Sequence, residues 1–357
     1  MYVLYGKIYK EKLFERMIKM LVKQEFETLV NTKGVKNIKL KDLIAQSKDI
    51  YDNWNNDIIN NEERVNFSLD NELKFLYNPV TGEIKKADIS EYAFSQLCGK
   101  VGIPANYVKK CFANDKDDLA LQNFRSWAND TDKNMLIREN NGVVRAVLSD
   151  SYTPFDSYKV LKTLYNTVDD MVYQPNQVFL SEDKLHIRFV DFKPLPFDDD
   201  ELYAGFTVDS SDVGRGSLNM KFFLYRSVCT NGLVISSMGG TLFKQNHIGS
   251  AMTGGKLELF NRALLNIDKL TDMSVEIIKN NRKKMLKDYE LNMYIEKAKR
   301  DLHLSEKSRE KLVNLIDNTY NHTKWGIINS VTELAQDFTL DTRVEFENWA
   351  GELLIAA

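Results

Sequence analysis

The sequence predicts an α+β fold with a mainly antiparallel central sheet flanked by helices and a helical C-terminal third. Apolar and polar residues alternate through the middle of the chain, and the pattern changes to helical spacing from about residue 255. We therefore expect a basic helical N-terminal segment (1–65), an α+β core domain (66–254) and a helical region packed on that core (255–357).

The N-terminal segment is distinguished by its charge. Residues 1–41 carry ten Lys or Arg against four Glu, an excess of six positive charges. Apolar residues recur there near helical spacing: Leu13, Met17, Met20, Leu21 and Phe26. This pattern predicts an amphipathic helix, which either packs on its own domain or a neighbouring subunit, or forms a basic arm that contacts phosphates.

Turn signals divide the core domain into strands and helices. Residues 66–83 predict short strands around a turn, and Ser90 begins a helix that ends at Gly102 and restarts after Pro104. Asn141-Gly142 predicts a hairpin. Two later strands flank the glycine-rich loop SSDVGRGS.

The strand LHIRFV (185–190) alternates strictly. Leu185, Ile187 and Phe189 form the face that we expect to be buried, and the opposite face carries His186 and Arg188. C-terminal to residue 255 the spacing is helical, with Ser305 as an expected cap.

Composition limits the class of protein. The chain has 357 residues, 43% of them hydrophobic, and a net charge of −3, which indicates a globular protein whose anion-binding surface must come from local clustering. Three cysteines without CxxC spacing argue against a disulfide framework or a cysteine zinc site. Without a membrane-length apolar run or a signal-peptide pattern, we expect a cytoplasmic protein with no membrane partner.

Catalytic and cofactor motifs are missing from the sequence. It contains no P-loop, GxGxxG, HExxH or GxSxG, so we expect no cofactor, no metal and no catalytic residue. The four histidines lack metal-ligand spacing: His186, His247, His303 and His322. His247, with Lys244 nearby, either forms an anion-binding loop or is an ordinary loop histidine. Cys229 is either a nucleophile with His247 as its base or, as we prefer, a buried thiol.

The stretch LNMKFFLYRSVCTNGL (218–233) begins as a strand and then becomes polar. We expect Asn231-Gly232 to supply the turn at the strand exit, and Arg226 to pair with a phosphate or an internal carboxylate.

Cationic and aromatic residues gather in or beside the predicted strands. Cations bind phosphates and flat rings stack on unpaired bases, so a sheet face with both predicts a single-strand groove, although half-exposed sheets commonly carry some Arg and Tyr. The predicted nucleic-acid-binding residues are Arg125, Trp127, Arg138, Arg145, Tyr152, Arg188, Arg215, Lys221, Tyr225, Arg226, Lys244 and His247.

Several motifs in a fixed order resemble the phage/plasmid-like proteins of the domain-of-unknown-function family 932. They are RAVLSDSY (145–152), SSDVG (210–214), Arg226 with Cys229 and Asn231, His247 with Gly249, and Trp325 with Asn329, Thr332 and Glu333. The resemblance spans roughly residues 88–350. It implies a phage, prophage or plasmid context.

Three functions fit these observations. The first is a single-stranded DNA-binding or annealing protein of recombination or replication that works as a homo-oligomer. The second is a factor that binds a host or phage protein and counters host defence. The third is an enzyme acting on nucleotides or phosphodiesters through Arg226, Cys229 and His247.

Overall fold

The computed structural model describes residues 39–59, 67–80, 82–131, 134–168, 172–181, 184–197, 201–226, 231–234, 241–247 and 254–356. The predicted amphipathic helix of the N-terminal segment, Cys229 and Gly249 lie outside these residues.

The first sheet is mixed. The described chain begins with helix α1 (Leu40–Asp52), and six strands follow: β1 (Trp54–Ile59), β2 (Phe67–Leu69), β3 (Phe75–Tyr77), β4 (Lys85–Ile89), β5 (Met135–Asn140) and β6 (Val143–Ser149). Their order is β1-β5-β6-β4-β3-β2, and all neighbours are antiparallel except β4 and β6. Helices α2 (Glu91–Val101), α3 (Ala105–Phe112) and α4 (Asp117–Asn129) share a core with this sheet.

Local chemistry explains where these elements begin and end. The Ser90 hydroxyl accepts a hydrogen bond from the Ala93 N–H at 3.2 Å, which starts α2, and Gly102 ends it at a φ of +86°. Asn141 and Gly142 have φ of +52° and +80°, the left-handed pair that a two-residue hairpin requires. The predicted helix break and hairpin are both confirmed.

The second sheet is antiparallel. Its strands are β7 (Tyr173–Leu180), β8 (Leu185–Pro194), β9 (Leu202–Ser210), β10 (Leu218–Arg226), β11 (Asn231–Val234) and β12 (Thr241–Gln245). The order is β11-β10-β9-β8-β7, and β12 also pairs with β10. Strand β11 pairs with the C-terminal half of β10 and β12 with its N-terminal half, so the two short strands share one edge.

Helices cover the second sheet. They are α5 (Ser157–Thr167), α6 (Gly254–Leu264), α7 (Ile267–Lys283), α8 (Asp288–Asp301), α9 (Glu306–Asn318), α10 (Lys324–Leu334) and α11 (Leu340–Ile355). The apolar face of β8 to β10 forms one core with these helices, and α10 is buried along almost its whole length. Helix α1 packs against α5. The α+β class and the helical C-terminal region are confirmed.

Three local predictions differ from the structure. The strands form two sheets instead of one central sheet, and the first of them includes a parallel pairing of β4 with β6. The β8 face with His186 and Arg188 is buried, since both side chains have ionic partners inside the protein. Asn231 and Gly232 do not form the turn at the strand exit; they belong to β11, where Asn231 pairs with Arg226.

Close packing across the second sheet predicts that Gly205→Ala is strongly destabilising. A Cβ at Gly205 would lie 2.1 Å from the Phe189 carbonyl oxygen, which the β8–β9 pairing holds in place. We expect a loss of at least about 3 kcal/mol in the free energy of unfolding, measured by urea denaturation. Gly216→Ala is the matched control, because its Cβ would meet nothing within 4 Å. Equal stabilities of the two variants would contradict the close approach.

Candidate functional site

The predicted nucleic-acid-binding residues divide between the interior and the surface. Arg138, Arg188 and Tyr225 are at most 3% exposed, and His247 is also buried. Exposed or half-buried positions are held by Arg125, Trp127, Arg145, Tyr152, Arg215, Lys221, Arg226 and Lys244. The buried side chains cannot reach a phosphate from these positions, so only the surface members remain candidates for contact with nucleic acid.

Arg138 on β5 lies at the centre of a buried polar group between the two sheets. Its Nη1 atom lies 2.7 Å from Asp156 Oδ1 and also donates to the Asp212 carbonyl. Its Nε atom donates to Asn56 Oδ1 on β1 at 2.9 Å, and the guanidinium lies 4.1 Å from the centre of the Trp54 ring. The side chain thus joins the first sheet to the start of α5 and to the loop after β9. Arg138, Asp156 and Asp212 are called the Arg138 cluster below.

Asp212 caps helix α5 from another part of the chain. Its Oδ1 atom accepts hydrogen bonds from the backbone N–H and the hydroxyl of Ser157, each at 2.8 Å. Burial and the nearby carboxylate of Asp156 raise the pKa of Asp212 to about 7. The charge of the Arg138 cluster therefore changes with pH near neutrality.

Tyr152 and His247 close one side of the cluster. Their rings stack with centroids 5.2 Å apart and planes inclined by 15°. The Tyr152 hydroxyl donates to the Ser211 carbonyl at 3.2 Å, and the Thr153 N–H donates to the His247 carbonyl at 2.8 Å. Burial lowers the pKa of His247, so its ring is neutral at pH 7, and Nε2 has no hydrogen-bond partner among the described residues.

Two of the sequence motifs pack directly on each other here. Gly214, in the SSDVG motif, has a φ of +79°, and a Cβ at this position would lie 2.6 Å from Leu148 Cδ2 in the RAVLSDSY motif. Ala146 and Val213, one from each motif, are buried in the same small apolar cluster. The glycine, alanine and leucine of these motifs are therefore explained by packing at the junction of the two sheets.

Two further motifs meet at a second, partly buried contact. Arg226 Nη1, at the end of β10, donates to the Tyr320 hydroxyl at 3.0 Å, and that hydroxyl donates to Glu333 Oε2 at 2.5 Å. Glu333 belongs to the motif on α10. Arg226 thus contacts a tyrosine hydroxyl that bonds to a carboxylate, and its predicted pairing with a phosphate or an internal carboxylate stays a prediction.

The proposed enzyme site is not assembled. Arg226 pairs with Asn231 at one end of β10, whereas His247 follows the strand that pairs with Leu218 at the other end. A strand of nine residues separates the two ends by roughly 25 Å. Arg226 and His247 therefore lie too far apart to act on the same small group, and the enzyme hypothesis stays a prediction.

The buried face of β8 holds one further ion pair and one contact between a histidine and a carboxylate. Arg188 forms a double contact with the Glu347 carboxylate on α11, with Nη1 3.2 Å from Oε1, and both side chains are at most 2% exposed. His186 Nδ1 lies 2.7 Å from Asp209 Oδ1 on β9. Burial alone would raise the pKa of Asp209, but the contact with His186 holds it below its ordinary value. This face is internal and cannot form the predicted single-strand groove.

The surface members of the predicted set are dispersed. The Arg215 guanidinium lies 4.7 Å from the centre of the Tyr92 ring at the start of α2, and Trp127 on α4 contacts the C-terminal end of that helix at Gly102. An 11-residue helix separates these contacts by about 15 Å. Lys244 is exposed on the short strand β12.

A more compact basic and aromatic surface lies on α1 and α5. Tyr51 and Tyr158 pack with ring centroids 5.1 Å apart. Lysine ammonium groups lie 5.4–6.0 Å from ring centres in three pairs: Lys41 on Tyr165, Lys159 on Tyr51, and Lys162 on Tyr158. These six residues are called the tyrosine–lysine face.

The sequence prediction missed this face. Tyr158, Lys162 and Tyr165 are spaced i, i+4 and i+7 on α5, and that spacing was the available signal. Tyr51 and Lys41 come from a helix more than 100 residues earlier, so their proximity depends on the packing of α1 against α5.

No described helix is long and apolar enough to cross a membrane. Among the described residues, no group of three or more His, Cys, Asp or Glu side chains could hold a metal ion.

These contacts define a two-sheet α+β protein whose motifs stabilise two internal junctions. The family model described as "Domain of unknown function (DUF932)" matches residues 145–346, and the chain belongs to this family. No curated protein and no solved structure matches the chain.

The Arg188–Glu347 pair predicts a large asymmetry between single and double substitutions. Glu347→Ala leaves a buried, uncompensated guanidinium and should lower the free energy of unfolding by about 3–5 kcal/mol. Arg188→Met combined with Glu347→Leu should recover most of that loss in urea denaturation. Glu306→Ala removes an exposed partner of Lys299 and should change the free energy of unfolding far less than Glu347→Ala. A double variant as unstable as Glu347→Ala would contradict this account.

The raised pKa of Asp212 predicts a pH-dependent stability. Its folded pKa of about 7 exceeds the ordinary 3.8, so the wild type should lose stability as pH rises from about 4 to 7, with the full loss above 7. Asp212→Asn cannot titrate there. Its free energy of unfolding, relative to wild type, should therefore rise by roughly 2–3 kcal/mol between pH 5 and pH 8, measured by urea denaturation. A constant difference would show that Asp212 does not titrate in this range.

Proposed function

We propose that this protein binds single-stranded DNA on the tyrosine–lysine face, as an oligomeric phage or plasmid protein of recombination or replication. The arrangement of three tyrosines with three lysines on α1 and α5 carries the proposal. Bases without a pairing partner stack on flat side chains, while the ammonium groups of lysines attract phosphates. This combination recognises a strand without reading its sequence.

The exposure of the face supports the proposal. Tyr165 is 44% exposed, Lys41 and Lys162 are exposed, and the remaining three residues are half-buried. Helix α1 has three acidic residues. Asp42 and Asp49 are spaced i and i+7, so they share one stripe, about 100° around the helix from Lys41, and Asp52 forms an ion pair with Lys48.

Annealing requires no catalytic group. A protein that holds two strands by stacking and charge leaves base edges free to pair, and only binding residues are needed. The two internal junctions of the fold provide no assembled catalytic constellation among the described residues, which is compatible with a binding role.

A fluorescence polarisation titration with a labelled oligo-dT tests this proposal. Lys162→Ala should reduce the slope of log affinity against log salt by about 1, because one phosphate contact is lost. Tyr165→Ala should weaken binding by roughly 5-fold to 150-fold, the loss of about 1–3 kcal/mol from one stacked base.

Matched controls lie on the C-terminal helices. Lys307→Ala on α9 and Tyr289→Ala on α8 replace exposed residues of the same types and should leave the affinity unchanged. No binding at low salt, or binding that salt does not affect, would contradict the proposal. Equal losses of affinity in the control variants and in the variants of the tyrosine–lysine face would show that DNA does not bind specifically on this face.

The second candidate function, binding a host or phage protein, is favoured by a different surface. Met285, Tyr289 and Met293 are spaced by four residues at and along α8, and each is more than half exposed. Exposed methionines and tyrosines at helical spacing are frequent in protein interfaces. Impaired capture of a protein partner by Tyr289→Ala, with DNA affinity intact, would support this alternative.

A further inference from the structure

Helix α5 connects the buried Arg138 cluster to the tyrosine–lysine face. Asp156 is the N-cap residue of α5, Ser157 is its first residue, and Tyr158 and Lys159 of the face follow directly. The helix N-terminus is held by hydrogen bonds from Ser157 to Asp212, which belongs to the loop after β9. A change at Asp212 therefore acts within one helical turn of the face.

The charge of the cluster is determined by its two carboxyl groups. Arg138, Asp156 and Asp212 are each at most 3% exposed. With both carboxylates ionised the cluster carries one net negative charge, and with one of them protonated it is neutral. The other titratable groups that face it are Tyr152 and His247, and burial keeps both neutral near pH 7.

We propose that the Arg138 cluster is a proton-sensitive lock on α5, which loosens the helix N-terminus and weakens nucleic-acid binding as Asp212 ionises. This inference rests on the proposed function. In the docked helix Asp212 is buried beside Asp156, whereas an opened N-terminus would return Asp212 to water, where it ionises more easily. Docking therefore becomes weaker as pH rises through neutrality.

Electrostatics acts on the bound strand in the same direction. An ionised Asp212 adds a buried negative charge beneath Lys159 and Tyr158, close to where phosphates would lie. A charge at about 10 Å from a phosphate, partly screened by solvent, should weaken binding about twofold to fourfold. Attraction between the ionised Asp212 carboxylate and the N-terminus of α5 opposes the loosening of the helix. Burial and the charge of Asp156 outweigh this attraction, as the raised pKa of Asp212 indicates.

Hydrogen–deuterium exchange of the full chain tests the lock without any DNA. Protection of α5 amides, normalised to those of α9 to remove the intrinsic pH effect, should fall about tenfold between pH 6 and pH 8 in the wild type. Asp212→Asn should remove this dependence. In Asp156→Asn the midpoint of this pH dependence should move to lower pH, because the repulsion that disfavours ionised Asp212 is lost. If Asp212 had a purely structural role, the protection of α5 would show no midpoint between pH 6 and pH 8, and Asp156→Asn would not shift one.

Oligo-dT polarisation at the same pH values then tests the coupling. We expect the wild type to bind about twofold to fourfold more weakly at pH 8 than at pH 6, while Asp212→Asn binds equally at both. If the normalised protection of α5 amides in the wild type does not change with pH, the proposed lock is wrong, even if DNA binds. If exchange of α5 in the wild type depends on pH but the affinity for oligo-dT changes equally in wild type and Asp212→Asn, the coupling between the lock and DNA binding is wrong. No binding at any pH would refute the proposed function and the coupling together, and exchange would still decide whether the lock exists.

Discussion

The buried guanidinium of Arg138 is the contact on which the arrangement of the two sheets depends. A charge without solvent is costly unless ionic and hydrogen-bonding partners surround it. Arg138 obtains them from three separate places: Asn56 on β1, Asp156 at the start of α5 and the Asp212 carbonyl after β9. Because each partner comes from a different element, the arginine can be satisfied only when the first sheet, α5 and the second sheet are in their native positions. One side chain thus makes the position of each element depend on the others.

The family motifs acquire a physical meaning from two such junctions. In the first, Gly214 gives Leu148 the space that a Cβ would occupy, while Tyr152 covers the cluster and stacks on His247. In the second, the Tyr320 hydroxyl accepts a hydrogen bond from Arg226 and donates one to Glu333, which joins the end of β10 to helix α10. The polar residues of the motifs are therefore mostly internal partners. Motifs of this kind report how the sheets and helices are held together, and they identify the fold more directly than they identify a ligand.

Sequence reasoning recovered the features that depend on neighbouring residues. The cap at Ser90, the left-handed Gly102, the Asn141-Gly142 hairpin and the strands around the glycine-rich loop follow from local chemistry and periodicity, and all are present. The strand order of the first sheet was not predictable, because it includes the parallel pairing of β4 with β6 across an intervening three-helix segment. The burial of Arg188 could not be anticipated either, since its partner Glu347 lies 159 residues further along the chain. A cation on an alternating strand indicates exposure only when no distant carboxylate covers it.

The same distinction decides where a binding function can lie. Cations that are buried in ion pairs have their charge balanced inside the protein, and releasing them would leave a carboxylate unpaired. Lysines that lie over half-exposed tyrosines have no such constraint, because an ammonium group on a ring face keeps much of its hydration and can turn toward a phosphate. The internal arginines therefore hold the sheets and helices together, while the lysines of the tyrosine–lysine face can turn toward a ligand. Helix α5 belongs to both systems, with its first turn in the Arg138 cluster and its outer stripe on the surface. It is the element through which a change in the buried charge can reach the surface.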